Sequence, residues 1–454
     1  MSMKEHTEKQ QADFWIPTAS IAQAPGHPFY RRLNAILQSR GFDRFAEGLC
    51  AKFYVEGKGR PGIAPGVYFR MLLIGYFEGL DSERGIAWRC ADSLGLREFL
   101  GYSLAQATPD HSSLSVIRRR LDLETHQAIF GWVVHVLGEE GLLKGKTIGV
   151  DSTTLEANAA LRSIVRRDTG ESYTDFLTKL AKASGIETPQ RSDLAKLDRD
   201  RPKKGSNDDW QHPHDSDARI TKMKDGRTHL AHKAEHAVDM ETGAIVAVTL
   251  QKANAGDTQT LMDTLSQALL NVDGKPGVTE PVAEVVADKG YHSNETTSAL
   301  REAGVRSYLS EPERGRRNWQ DKPYEQASVY ANRRRIRGER GKRLLRRRGE
   351  LVERPFAHCY ETGGMRRTHL RGHENILKRV LVHVAGCNLG LLMRHRYHAG
   401  TPRGLSESLV SLFESLYRLV HGLLFFLHAV DVQNHSGCAS VGQNGLQKRR
   451  WMVG

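Results

Sequence analysis

The chain has 454 residues, of which 39% are hydrophobic and 26% are charged, and its formal net charge at pH 7 is +13. This composition is typical of a soluble globular protein with a sizeable core. The basic excess favours an anionic partner, with nucleic acid the first candidate, although a generally basic protein would look the same. The five cysteines are scattered without a CxxC pair, which excludes a zinc ribbon and a disulfide framework and favours a reducing, cytosolic setting.

Neither end of the sequence predicts membrane insertion. The first residues, "MSMKEHTEKQQADFW", are polar and lack the apolar region of a signal peptide. The most apolar late stretch, residues 409–430, contains Glu414, Arg418 and two histidines. These residues favour a buried or amphipathic helix over a spanning one. We therefore expect a cytoplasmic protein without a membrane partner, and a DNA partner would make it nucleoid-associated.

Residues 28–143 are predicted to form a compact helical domain. Apolar residues recur there at spacings of three and four, with breaks at glycines. In "TPDHSSLSVIRRRL", Ser112 or Ser113 is the predicted helix cap. The same helix carries three arginines that could lie on a DNA backbone: Arg118, Arg119 and Arg120. A solvated basic helix face is an equally good interpretation of these residues alone.

Alternating strands and helices follow. "KTIGVDST" predicts a strand that ends at Asp151, and "HLAHKAEHAVDMETGAIVAVTLQ" predicts two strands joined by a turn at Met240–Gly243. A helix capped by Asp257 or Thr258, the strand "VAEVVADKG", the helix "SNETTSALREAG" and the strand "VRSYLS" come next. The order β, β, β, α, β, α, β matches an α/β fold of the RNase H-like kind, a mixed sheet with flanking helices, by analogy of pattern.

A long insertion, residues 156–226, separates the first two strands. "SYTDFLTKLAKASG" is predicted to be a helix, and the charged remainder is predicted to be loop-like. Within it, "WQHPHDSDAR" groups four possible zinc ligands: His212, His214, Asp215 and Asp217. The proline and the loop setting favour a weakly ordered segment over a zinc site.

Two acidic residues lie at predicted strand ends. Asp151 and Asp288 would face the crevice at the edge of an open α/β sheet, and they would lie close together if the first and fourth strands are neighbours. Clustered carboxylates repel one another, and Mg²⁺, which prefers hard oxygen ligands, would remove that repulsion. A turn or cap role is the commoner one for either aspartate alone.

The third acidic candidate is Glu353 in "RRRGELVERPFAHCYETGGMRRTHLRG". It lies beside a predicted apolar helix face formed by Leu351, Val352 and Phe356. A solvated helical glutamate is the alternative. Two Mg²⁺ ions about 4 Å apart, held by three carboxylates, would turn a water or a 3′-hydroxyl into a nucleophile and stabilise the leaving oxygen at phosphorus.

An arginine-rich run, Asn332–Arg348, directly precedes Glu353. Its sequence, "NRRRIRGERGKRLLRRR", contains a single acid, and its Arg–Gly breaks predict a segment that orders on DNA. A charge run is usually a solvated face, but the position beside Glu353 favours contact with the DNA backbone. The arginines assigned to that contact are Arg333, Arg334, Arg335, Arg347 and Arg348.

Four blocks of the sequence resemble the DDE transposases of bacterial insertion sequences: "GVDSTTLEAN", "VVADKGYHS", "RRGELVERPFAH" and "LVHVAGCNLGLLMR". "TPDHSSLSVIRRRL" resembles the end of their N-terminal helical domain. The resemblance implies an RNase H-like catalytic domain in which Asp151, Asp288 and Glu353 are the metal-binding catalytic residues. It also implies Mg²⁺ (or Mn²⁺ in its place), terminal inverted repeats and target DNA as double-stranded DNA partners, and a homo-oligomer, such as a dimer, that pairs the ends.

The sequence departs from the family at one signature. Many relatives carry an arginine before the glutamate and a lysine after it, at the places where this chain has Gly349 and Tyr360. The candidates to replace them are Arg347 or Arg348 and Arg366 or Arg367. Glu350 competes for the role of third ligand, but Glu353 directly precedes the Arg–Pro–Phe of the motif.

The sequence therefore predicts a DDE transposase that cleaves DNA at insertion-sequence ends and transfers strands. The alternatives are an RNase H-like nuclease without strand transfer and a catalytically silent DNA-binding relative. The chain has no GxxxxGK[ST] loop, so ATP-driven transposition is not predicted. The predicted organisation is an N-terminal tail (1–27), a helical DNA-binding domain (28–143), a catalytic domain (144–395) and a C-terminal helix with a basic tail (396–454).

Overall fold

The computed structural model describes residues 27–405 apart from 56–61, 203–204, 224–225, 314 and 316. The apolar stretch 409–430 and the predicted basic tail lie outside the described residues, as does nearly all of the predicted N-terminal tail. Within the described residues, a helical N-terminal part leads into a mixed sheet flanked by helices.

The N-terminal part is helical, as predicted. Its helices are α1 (Pro28–Ser39), α2 (Phe42–Cys50), α3 (Pro65–Glu78), α4 (Glu83–Asp92), α5 (Leu94–Leu100), α6 (His111–Arg120) and α7 (Leu123–Glu139). The predicted cap of α6 is wrong, because Asp110 caps this helix. Its carboxylate accepts hydrogen bonds from the Ser113 N–H (2.8 Å) and the Ser112 hydroxyl (2.9 Å). A carboxylate suits the positive end of a helix better than a neutral serine does.

The strands form one mixed sheet and a separate pair. They are β1 (Thr147–Glu156), β2 (Val165–Arg166), β3 (Trp210–Gln211), β4 (Arg219–Lys222), β5 (Thr228–Asp239), β6 (Ile245–Lys252), β7 (Glu284–Ala287) and β8 (Arg306–Leu309). β2 pairs with β3, and the others form a sheet in the order β4-β5-β1-β7-β8, with β6 also paired to β5. β1 runs antiparallel to β5 and parallel to β7. The predicted RNase H-like mixed sheet is confirmed.

β1 is longer than predicted. It continues through Asp151 to Glu156, because its residues pair with β5 as far as Glu156 opposite Ala231. The parallel pairing with β7 ends earlier, at Gly149. The prediction that the strand ends at Asp151 is therefore wrong, and the hydroxyl residues Ser152–Thr154 belong to the strand.

The insertion is more ordered than predicted. α8 (Tyr173–Ala183) confirms the predicted helix, but the charged remainder forms α9 (Arg191–Asp200), β3 and β4 instead of a loop. At the start of α9, the Gln190 N–H donates to the Asp193 carboxylate (2.9 Å). A small apolar core joins the insertion to Leu230 of β5; its other buried members include Ile164, Tyr173, Leu177 and Trp210.

The remaining helices cover the sheet. They are α10 (Asp257–Val272), α11 (Asn294–Glu302), α12 (Pro323–Arg337), α13 (Glu339–Phe356) and α14 (His373–Tyr397). Ser293 caps α11. α10 begins after Gly256, so the predicted caps Asp257 and Thr258 are wrong. α13 crosses the sheet over β1, β7 and β5.

The arginine-rich run is helical in the structure, and its ordering on DNA stays a prediction. It forms the end of α12 and the first half of α13. Arg333 donates to Glu311 (2.8 Å), and Arg340 donates to Glu284 (2.5 Å) at the start of β7. Carboxylates of the protein therefore hold part of this run in place.

One hydrophobic core joins the N-terminal helices to the sheet. α14 packs against α3, α7 and β6, and the Asn388 side chain makes two hydrogen bonds with the backbone of Ile245 (2.8 and 2.9 Å). The helical stretch His373–Leu405 is long and apolar enough to cross a membrane, but its most apolar window is 83% buried inside the protein. Such burial is typical of the core helix of a globular domain.

Candidate active site

The carboxyl end of β7 brings two predicted site residues together. Gly149 of β1 lies opposite Val286 of β7 in parallel register, and Asp151 and Asp288 follow two residues later on their respective chains. Neighbouring strands lie about 4.8 Å apart. The two aspartates therefore project from adjacent strands at the same edge of the sheet, which confirms the predicted contact between the first and fourth strands.

Asp151 is largely buried and already paired with a cation. Its Oδ1 accepts a hydrogen bond from the Ser152 N–H (2.8 Å), and its Oδ2 accepts one from Nη1 of Arg348 on α13 (2.7 Å). Only 18% of the Asp151 side chain and 15% of the Arg348 side chain are exposed. Burial raises the pKa of Asp151, Arg348 opposes that shift, and the charge of Asp288 adds to it. A positive charge beside Asp151 is therefore favourable.

Asp288 begins a tight turn that brings in a third carboxylate. Its Oδ1 accepts a hydrogen bond from the Gly290 N–H (2.8 Å). A Cβ on Gly290 would lie 2.4 Å from Asp257 Oδ2 and 3.1 Å from Asp288 Oδ1, so the two carboxylates are neighbours. The sequence suggested only a capping role for Asp257. The position of Asp257 in the sequence could have indicated that it lies near Asp288. It follows β6, a strand that ends at the same edge of the sheet as β7.

Gly290→Ala is expected to lower both stability and affinity for a divalent cation. Gly290 is exposed, so the added methyl group would displace the ends of two carboxylate side chains, at a cost of about 1 kcal/mol. Urea unfolding and Mn²⁺ titration measure the two effects. Gly131→Ala on α7 is the matched control, because a Cβ there has no neighbour within 4 Å. If the two variants have the same stability and the same affinity for Mn²⁺, a close approach of the carboxylates does not explain the glycine at position 290.

Asp257 belongs to a polar cluster on the other face of the sheet from Asp151. Ser152, next to Asp151 on β1, points to this face because side chains alternate along a strand. Its hydroxyl donates to Asp257 Oδ1 (3.2 Å), which also pairs with Lys233 Nζ (2.5 Å). Lys233 is 5% exposed. The salt bridge fixes Asp257, and Asp257 in turn fixes the backbone beside Asp151.

The turn after Asp288 is anchored in a second buried group. The Tyr291 hydroxyl donates to Glu235 on β5 (2.8 Å), which also accepts from Thr260 (2.8 Å) and Thr264 of α10. Burial raises the pKa of Glu235, whereas the three hydroxyl donors oppose that shift. The sequence analysis missed this group. Its signal is "KAE", which places Lys233 and Glu235 on one face of a predicted strand.

Tyr291→Phe is expected to destabilise the protein by roughly 1–3 kcal/mol, because it removes one donor from a fully buried carboxylate. The free energy of unfolding in urea measures the effect. Tyr324→Phe serves as the control, since Tyr324 is 43% exposed and its loss of a hydroxyl should change stability by less than about 0.5 kcal/mol. A Tyr291→Phe variant as stable as the control would show that this anchor is unimportant.

Glu353 does not join the two aspartates in the structure. α13 is helical as predicted, but the Glu353 side chain is exposed. The competing Glu350 is exposed as well. The described part of the chain contains no group of three or more His, Cys, Asp or Glu side chains placed to hold a metal ion. The predicted three-carboxylate cluster is therefore not assembled in this conformation.

The contacts of α13 set the direction of the Glu353 side chain. Val352 packs onto the sheet, where a Cβ on Gly149 would lie 2.8 Å from it. Leu351 lies near Gly243 in the turn between β5 and β6, beyond the amino end of β1. Successive helical residues are about 100° apart, so Glu353 lies on the opposite flank of α13 from Leu351.

The predicted DNA-binding arginines fall into two groups. Those held by protein partners are Arg118 (Glu83), Arg333 (Glu311), Arg335 (the Ser307 carbonyl), Arg348 (Asp151) and Arg366 (Glu361 and Thr153). The exposed ones are Arg119, Arg120, Arg334, Arg347 and Arg367. Among the exposed ones, Arg347 donates to the Glu241 carbonyl (3.0 Å) and Arg367 pairs with Glu156 (3.8 Å). Contact with DNA stays a prediction for all ten.

The histidine cluster of the insertion is structural. Asp215 is buried against His232 of β5 (3.3 Å), and Asp217 accepts a hydrogen bond from the His373 N–H at the start of α14 (3.0 Å). These contacts hold the insertion against the sheet. No metal-binding group of these residues is found among those that the structure describes, so the zinc alternative has no structural support.

An RNase H-like sheet with aspartates on adjacent strands, followed by a helix that carries a glutamate, defines the DDE class of DNA-processing proteins. The comparisons agree. Residues 19–120 match the family described as Transposase domain (DUF772), and residues 186–389 match the family described as Transposase DDE domain. The chain belongs to the DDE transposases of insertion sequences. The second match includes Asp288 and Glu353 but begins after Asp151. No curated protein matches the chain.

Proposed function

We propose that this transposase hydrolyses a phosphodiester bond at each end of its element and then joins the freed 3′-hydroxyl to target DNA. The observation that carries the proposal is the position of Asp151 and Asp288 at one sheet edge, on adjacent parallel strands. The exposed arginines of α6, α12 and α13 would contact the DNA backbone. Two copies of the chain would hold the two inverted repeats together.

The donor set at the sheet edge suits Mg²⁺, with Mn²⁺ as a substitute. Asp151 and Asp288 offer hard oxygen ligands of the kind that Mg²⁺ prefers. Glu353 on α13 would be the third ligand. When bound, the metal would activate the nucleophile and stabilise the leaving oxygen. The Ser152 and Gly290 N–H groups each hold one carboxylate oxygen, which orients both aspartates.

The proposal is tested with the DNA that flanks the coding region, since its inverted repeats are the expected substrate. The full chain should nick this DNA at the repeat ends in Mg²⁺ or Mn²⁺ and should bind it without cutting in EDTA. Cutting at unrelated sites, with no preference for the repeats, would support a nuclease instead.

One observation favours a second candidate, a catalytically silent DNA-binding relative. The exposed Glu353 does not join the two aspartates, and Arg348 already occupies Asp151. Repeat binding in EDTA together with no cleavage in either metal would support this candidate and contradict the transposition reaction.

A further inference from the structure

Arg348 makes a contact that its neighbours in the arginine run do not share. Its guanidinium bonds directly to Asp151 Oδ2, and both side chains are more than four-fifths buried. The adjacent Arg347 instead donates to the Glu241 carbonyl (3.0 Å) and is exposed. Arg348 is therefore buried against a proposed metal ligand, whereas an arginine that only binds phosphate would be exposed to solvent.

The two oxygens of Asp151 both have donors. Oδ1 is held by the Ser152 N–H, and Oδ2 by Arg348. A divalent cation that binds Oδ2 would lie in contact with the guanidinium, and two positive charges at that distance repel in a partly buried site. Arg348 and a metal ion therefore compete for the same oxygen.

Arg348 can leave Asp151 Oδ2 without any movement of the α13 backbone. Val352 fixes the helix against β1, so the exchange needs only rotation of the long Arg348 side chain. That side chain lies at the edge where the DNA phosphate would be bound, and an arginine suits a phosphate as well as a carboxylate.

We propose that Arg348 is an internal counter-ion that blocks metal binding at Asp151 until DNA binds, and that it then transfers from Asp151 to a DNA phosphate. The inference rests on the proposed function. It makes Arg348 a positioning residue that couples metal loading to DNA, so that the DNA-free protein holds the metal weakly. A transposase regulated in this way would not carry a loaded metal site before it reaches its DNA.

The test measures Mn²⁺ binding to the full-length, DNA-free protein by electron paramagnetic resonance of free Mn²⁺. Arg348→Gln should bind Mn²⁺ at least about tenfold more tightly than wild type, because the competing charge is gone. Lys342→Gln is the matched control, because it removes an exposed positive charge from the same helix, and it should bind like wild type. Arg348→Lys keeps the charge and should also stay weak. Adding repeat DNA should tighten Mn²⁺ binding to wild type much more than to Arg348→Gln.

The outcomes separate this inference from the proposed function. If Arg348→Gln is folded by circular dichroism and binds Mn²⁺ no more tightly than wild type, while Asp151→Asn abolishes binding, only the counter-ion role is wrong. If neither wild type nor any variant binds Mn²⁺, with or without DNA, the proposed metal-dependent function is wrong. The inference about Arg348, which rests on that function, is then wrong as well. If Arg348→Gln does not fold, the charge-keeping Arg348→Lys decides: Mn²⁺ binding tighter than wild type contradicts the inference, and wild-type binding supports it.

Discussion

Asp151→Asn and Asp288→Asn should each reduce metal-dependent cleavage of repeat DNA by about a thousandfold or more, because each removes a charged oxygen ligand from the metal site. Asparagine has nearly the same shape as aspartate, so the fold and the affinity for repeat DNA in EDTA should change little. Cleavage rates under single-turnover conditions and gel-shift titrations measure the two effects.

Asp263→Asn is the matched control for these variants. Asp263 is an exposed carboxylate on α10, and its loss should leave the cleavage rate within about twofold of wild type. If either active-site variant cleaves at a near-normal rate in Mg²⁺, that aspartate does not hold the catalytic metal.

Glu353→Gln should cause a loss of cleavage of about a hundredfold or more, and Glu350→Gln should cause almost none. Both glutamates are exposed on α13, so exposure does not distinguish them. Their directions do, because Glu353 lies only about 100° around the helix from Val352, which packs onto the sheet. Glu350 lies about 160° around the helix from the buried Val352 and therefore points to solvent.

The same cleavage assay decides between the two glutamates. The pair serves as its own control, since both variants remove one charge from the same helix. A strong loss in Glu350→Gln with normal activity in Glu353→Gln would reverse the assignment. Strong loss in neither would mean that α13 does not supply the third ligand.

The order of the strands could be predicted from the sequence because buried strands are locally apolar and bounded by turns. β6 and β7 follow that rule, and each lies where the pattern indicates. β1 breaks the rule after Asp151. Ser152, Thr153 and Thr154 continue the strand because distant groups satisfy their polar atoms, including Asp257 for Ser152 and Arg366 for Thr153. Local sequence contains no sign of those partners.

The placement of the two aspartates at one sheet edge could be predicted from the sequence, and the groups around them could not. Asp151 and Asp288 carry the strand-end pattern that predicts a ligand crevice. Asp257 and Lys233 enter the site through pairing of β5 with β1 and through the position of α10. Arg348 was predicted to bind DNA as part of a charge run, and in the structure it bonds to Asp151, 197 residues away in the sequence. Partners at such separation follow from the tertiary fold alone.

The ordered insertion has a similar cause. Its high charge and its turn formers predict a loop, yet α9 forms with Asp193 bonded to the Gln190 N–H. Trp210 and Tyr173 then pack together, with ring centroids 5.0 Å apart. A few large aromatic residues are enough to order a charged segment when they meet a surface such as Leu230 of the main sheet.

Strand transfer by a pre-cut end tests the central claim most directly. The substrate is repeat DNA that already carries a free 3′-hydroxyl at the expected cleavage position, mixed with plasmid target DNA and Mg²⁺. The wild-type chain should join that end to the target, and Asp151→Asn, Asp288→Asn and EDTA should each prevent joining. The contradicting result is that the chain cuts intact repeat DNA but forms no joined product from the pre-cut end. The protein would then act as a nuclease without strand transfer.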